Sequence, residues 1–76
     1  MKYSVTVNGK PARETNGELV DEATMKVAVI DTFLSVSPAR MWLTNDVEAN
    51  PRVFQIQTLG DPVQIWLIVE VTAHNE

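Results

Sequence analysis

The feature that most limits the fold is the unbroken alternation from Val63 to Ala73, V-Q-I-W-L-I-V-E-V-T-A. Val63, Ile65, Leu67, Val69, Val71 and Ala73 occupy every second position. Alternate side chains of a pleated strand point to opposite faces, so these residues form one apolar row. Between them stand Gln64, Trp66, Ile68, Glu70 and Thr72, polar at the ends and apolar in the middle. β-branched and aromatic residues dominate, which favours strand over helix. Gln64 and Glu70 interrupt the run, which is also too short for a membrane helix. A strand this apolar on both faces belongs at the centre of a sheet or beneath a second layer.

The preceding residues show what could pack on it. Tyr3, Val5 and Val7 alternate with Ser4 and Thr6, the pattern of a half-buried strand. Asn8-Gly9 is a strong signal for a type I′ hairpin turn. Lys10 to Glu14 can return as a brief second strand, held to the sheet edge because Pro11 has no N–H to donate. Thr15-Asn16-Gly17 breaks the pattern, and from Glu18 to Ser35 the period becomes helical. Leu19, Val20, Ala23, Val27, Ile30, Phe33 and Leu34 gather on one side, opposite Asp21, Thr24, Asp31, Thr32 and Ser35. An amphipathic helix over about 18–35 is expected, with Thr15 or Asn16 as its N-cap and Ser37-Pro38 as its stop. Met25 to Val29 also reads as a strand, but a period of two would place Asp31 in the apolar row, and the helix is preferred.

Arg40 to Thr44 and Arg52 to Thr58 read as short strands separated by the turn-rich loop Asn45 to Pro51. Leu59-Gly60-Asp61-Pro62 then makes a hairpin into Val63 to Ala73. His74-Asn75-Glu76 reads as a frayed tail. A chain of 76 residues fits one domain. The expected architecture is a two-layer α+β sandwich: one helix on a four- or five-stranded, mainly antiparallel sheet, in the order strand, second short strand, helix, strand, strand, strand. The odd-numbered row of the last strand would face the helix stripe of Leu19, Ala23, Val27, Ile30 and Leu34.

Two layers leave the other sheet face bare. That face would carry Trp66 and Ile68, with Trp42 beside them if the register of its short strand allows. Gln55, Gln57, Gln64 and Thr72 would surround them. The alternatives are that Trp42 lies under the helix or that the 10–17 arm covers Trp66. Monomers rarely expose a contiguous apolar patch beyond a few hundred Å² unless it binds something. Partner-binding residues are therefore expected at Trp66, Ile68, Trp42 and Gln64. A second expected surface is the acidic helix start, Glu18, Asp21 and Glu22. With Glu14 these acids fall within nine residues free of Lys and Arg. The same placement suits the positive end of a helix dipole, which is its ordinary structural meaning.

The chemistry of the chain is sparse. It has no cysteine, one histidine (His74) and no G-x-S-x-G turn, which weighs against hydrolase chemistry. Asp46 and Glu48, at i and i+2 in a loop, would hold a divalent cation at most weakly. Gly9, Gly17 and Gly60 are isolated at turns and build no phosphate loop. The six basic residues, Lys2, Lys10, Arg13, Lys26, Arg40 and Arg52, are scattered under a net charge of -4, which disfavours nucleic acid. Trp42 and Gln64 resemble, in placement alone, positions of the flavin-stacking dodecins. That two-residue resemblance shares no motif, and the strand at 52–58 departs from the dodecin pattern.

The expected function is that of a small acidic, non-enzymatic protein-interaction module in the cytoplasm, with no cofactor or metal and no direct contact with nucleic acid or membrane. Its partner would be another protein, its own copy through the second sheet face, or both. Inhibitors made by phages and mobile elements against host complexes share this size and acidity. The alternative is a homo-oligomeric protein stacking a planar ligand on Trp42 or Trp66, and after it a structural component of a larger assembly.

Overall fold

A computed structural model describes residues 1–75; Glu76, part of the expected tail, lies outside them. The elements are β1 (Lys2–Val7), β2 (Lys10–Pro11), α1 (Glu22–Leu34), β3 (Ala39–Leu43), β4 (Arg52–Thr58) and β5 (Trp66–His74). The strands form one antiparallel sheet in the order β2-β1-β5-β4-β3. α1 packs on one face, giving the expected two-layer α+β sandwich. β5 is central and pairs with β1 on one side and β4 on the other. No helix among the described residues is long and apolar enough to cross a membrane.

The local signals account for most of the sheet. Asn8 and Gly9 have φ of 51° and 83°, the left-handed pair that a two-residue hairpin needs. Val7 consequently faces Lys10, and Thr6 faces Pro11. Pro11 sits on the outermost strand, where its missing N–H leaves no ladder bond unmade. Asn8 also extends the pairing to β5: its Oδ1 accepts from the Ile68 amide at 2.8 Å and its own amide donates to the Ile68 carbonyl at 2.9 Å. The 10–17 arm does not reach the far face. It turns inward, burying Ala12 and Thr15, with Thr15 Oγ1 donating to the Ala12 carbonyl at 3.0 Å.

The odd-numbered row of β5 faces the helix, as expected. Val69 and Val71 are buried with Val5 of β1 and Ile56 of β4, and Leu67 packs against them. Its first members are a correction. Val63 and Ile65 lie ahead of β5 in the hairpin connection and are exposed. There the Thr58 amide still donates to the Ile65 carbonyl at 3.2 Å, but Thr58 Oγ1 accepts from the amides of Gln64 (2.8 Å) and Ile65 (3.3 Å), so the side chain and not the Thr58 carbonyl takes the return bond. At the other end, His74 is the last residue of β5 rather than part of a tail. It faces Lys2, and its Nε2 lies 3.0 Å from Ser4 Oγ.

The helix also departs from expectation. Its N-cap is Asp21, whose Oδ1 accepts from the Thr24 amide at 2.8 Å. Residues 18–20 are not helical because Asn16 and Gly17 turn the chain at φ of 49° and 80°. Val20 then bridges Tyr3 through two backbone hydrogen bonds of 2.8 Å. Within α1 the buried residues are Met25, Ala28 and Val29, with Phe33 packed beside them. The expected core stripe is therefore reversed. Ala23 is exposed, and Leu19, Val27, Ile30 and Leu34 are 44%, 58%, 52% and 68% exposed. α1 is apolar on two opposite sides, and the sheet takes the side that carries the small Ala28.

Candidate functional site

The outer sheet face is built by register. Trp42 of β3 faces Gln55 of β4, which faces Ile68 of β5. One row along, Arg40 faces Gln57, which faces Trp66. The next row carries Val53, Glu70 and Thr6, and Ser4 faces Thr72 beyond it. Because side chains alternate, these residues all lie opposite α1. Among the described residues no element lies over them.

Trp42 and Trp66 stand on strands separated by β4, diagonal to each other across Gln55 and Gln57. Their ring centroids are 6.0 Å apart and the planes meet at 79°. This edge-to-face contact brings the positive ring edge against the negative face of the other ring. Trp66 remains 50% exposed, while Trp42 and Ile68 are half-buried. The arrangement is an apolar ridge framed by two amides, with a guanidinium (Arg40) and a carboxylate (Glu70) farther out. It offers contact area and hydrogen-bonding groups on a rigid β platform. The rings form no parallel slot of the kind that would sandwich a planar ligand.

The sequence-selected residues fall into separate places. Trp66, Ile68 and Trp42 are brought together. Gln64 is not in the strand: its Nε2 donates to the Pro62 carbonyl at 3.2 Å within the hairpin connection. Glu18, Asp21 and Glu22 are all exposed; Asp21 and Glu22 stand at the start of α1, and Glu18 lies in the turn ahead of it. Asp21 is occupied as the cap, and the Thr24 amide holds its carboxyl below the usual range. Glu22 Oε1 lies 3.6 Å from Lys26 Nζ one turn on. Two of these three acids thus serve the helix itself.

Other chemistry is thin. Ser4 and His74 form a hydroxyl–imidazole contact between β1 and β5. Asp46 and Glu48 are exposed loop residues, and no group of three or more acidic or imidazole side chains converges among the described residues. A perturbed carboxyl pair links the arm to α1. A hydrogen bond with Asp31 pushes Glu14 up, reinforced by burial, and the same bond holds Asp31 down, helped by Arg13 3.1 Å away.

Sequence reasoning misses the exposed side of α1: periodicity places Val27, Ile30 and Leu34 in the core, and the structure leaves them exposed. The available signal was the number of apolar positions. Met25, Ala28 and Val29 are apolar as well, so the helix has more apolar surface than one sheet face can cover. The chain matches no protein-family model, no curated protein and no solved structure.

Proposed function

We propose that the chain is a small, non-enzymatic protein-interaction module that docks a partner protein on the outer sheet face. Trp66 is the anchor, and Trp42 and Ile68 are its apolar support. The observation that carries this reading is the Trp42–Trp66 pair, closed edge to face yet leaving half of Trp66 in water. Tryptophan is the residue type most enriched at the centre of interfaces, because it combines large apolar area with a polar N–H and little conformational entropy to lose. Gln55, Gln57, Arg40 and Glu70 supply the polar rim that such an anchor needs. Small size and net negative charge fit an inhibitor that blocks a larger, basic assembly in the cytoplasm of a host cell.

The experiment is capture of partners from lysate of the producing or host cell by three baits: wild type, Trp66→Ala, and a triple charge reversal at Glu18, Asp21 and Glu22. A species retained by the charge-reversed bait and lost with Trp66→Ala supports docking on the sheet. Retention by Trp66→Ala and loss with the charge reversal would transfer the site to the helix start.

A further inference from the structure

We propose that the outer side of α1 is a second docking surface, and that its occupant is another copy of this chain in a parallel, twofold-symmetric helix pair. It is independent of the sheet-face reading and sits in the opposite layer. Ala23, Val27, Ile30 and Leu34 are spaced four, three and four residues apart. That is the alternating d-a-d-a spacing of a helix–helix seam, which keeps one apolar line in register with a partner helix. All four are exposed. They lie on the side of α1 opposite Met25, Ala28 and Val29, which the sheet already covers. A helix apolar on two sides fits a position between two layers, and the described residues supply one of them.

Charge selects the occupant and its direction. With that seam, Lys26 flanks one side at a g position and Asp31 the other at an e position. In a parallel pair, g of one helix meets e five residues further along its partner, so Lys26 meets the partner's Asp31, twice by symmetry. An antiparallel pair centred on the seam would instead set Lys26 near Phe33 and Asp31 near Thr24, with no opposite charges matched. Neither flanking charge is buried: the Lys26 and Asp31 side chains are 65% and 43% exposed. Asp31 already holds Arg13 and Lys26 already holds Glu22, both within one protomer, so the cross-helix contacts would extend existing ion pairs. Beside Ile30 lies an open groove lined by Met25, Val29, Met41 and Phe54, with Lys26 and Arg52 also in its lining. A seam of four side chains is small for an interface, so dissociation constants on the order of tens of micromolar are expected.

The test uses the full chain, whose lack of cysteine makes single thiols diagnostic. Sedimentation equilibrium is run on wild type and Val27→Glu, with circular dichroism confirming that the exposed substitution leaves the fold intact. Wild type is expected to dimerise and Val27→Glu to weaken the dimer by at least about 30-fold, the effect of losing a central contact. Leu34→Cys should oxidise to a disulfide-linked dimer, because equivalent seam residues of a parallel pair approach within disulfide reach. A wild-type monomer at several hundred micromolar would overturn the proposal. So would cross-linking of Ala23→Cys to Leu34→Cys in preference to Leu34→Cys with itself, or a dimer abolished by Trp66→Ala and untouched by Val27→Glu. Because Trp66 and Val27 lie in opposite layers, failure here leaves the sheet-face reading standing, and the reverse holds equally.

Discussion

Trp42 and Trp66 touch edge to face at a centroid separation of 6.0 Å although β4 runs between their strands. The contact spans the diagonal of the outer face, and each ring holds the other in place. Trp66→Ala should cost only about 1 kcal/mol of stability, since half of the side chain already meets water. A double-mutant cycle with Trp42→Ala should return a coupling of roughly 0.5–1.5 kcal/mol. Urea unfolding of the four proteins measures both quantities. A coupling near zero would mean that the rings do not support each other in solution.

The two sides of α1 should respond oppositely to truncation. Ile56→Ala removes a fully buried side chain beneath the helix and should cost about 3 kcal/mol. Val27→Ala and Ile30→Ala touch the exposed side and should each cost under about 0.5 kcal/mol in dilute, monomeric protein. Denaturant midpoints at low protein concentration decide the matter. A large loss at Ile30 would restore the helix orientation that periodicity alone suggested.

Asp21 caps α1 through the Thr24 amide, and the hydrogen bond favours its ionised form. A carboxyl held below its unfolded value contributes stability above that value, and the contribution fades as pH falls through the folded one. Asp21→Ala should therefore lower the thermal midpoint by a few degrees near neutral pH. The difference should shrink in acid. Thermal scans across pH 2 to 7 check this, and a pH-independent difference would remove the cap from the account.

Glu14 behaves in the opposite sense. Its hydrogen bond with Asp31 and its burial favour the protonated form, so the folded-state value lies above the unfolded one. Such a group costs stability once pH rises above its folded value, and stops costing it below its unfolded one. Glu14→Gln should raise the urea midpoint near pH 7 and have little effect near pH 3. Asp31 is held low by the same contact and by Arg13, so Asp31→Asn should destabilise at neutral pH. If both variants shift stability in the same direction at pH 7, the contact does not push the two carboxyls in opposite senses.

How far these features were legible depended on the period of the pattern. β1, the Asn8-Gly9 turn, β4 and the buried row of β5 follow from alternation, because a period of two assigns each residue to a face. The association of Trp42, Ile68 and Trp66 followed from the same rule, given a register. The orientation of α1 was not legible. A helix with apolar residues at 23, 27, 30 and 34 and also at 25, 28 and 29 offers two stripes, and the sequence does not say which one the sheet accepts. Its start was hidden for a different reason: Val20 is held extended by Tyr3, which is distant in sequence, so Glu18 to Val20 never join the helix despite their favourable spacing. The loss of Val63 and Ile65 from β5 turned on Thr58: its amide still bonds the Ile65 carbonyl, but its hydroxyl takes the Ile65 amide that would otherwise complete the ladder pair.

The central claim is that the partner sits on the outer face, over the diagonal between the tryptophans. Gln55 faces both Trp42 and Ile68, so a photo-reactive side chain in its place reports directly on that surface. Irradiation in lysate should give a covalent adduct from position 55 and none from the same group placed at Glu18. An adduct at position 18 with none at position 55 would contradict the account.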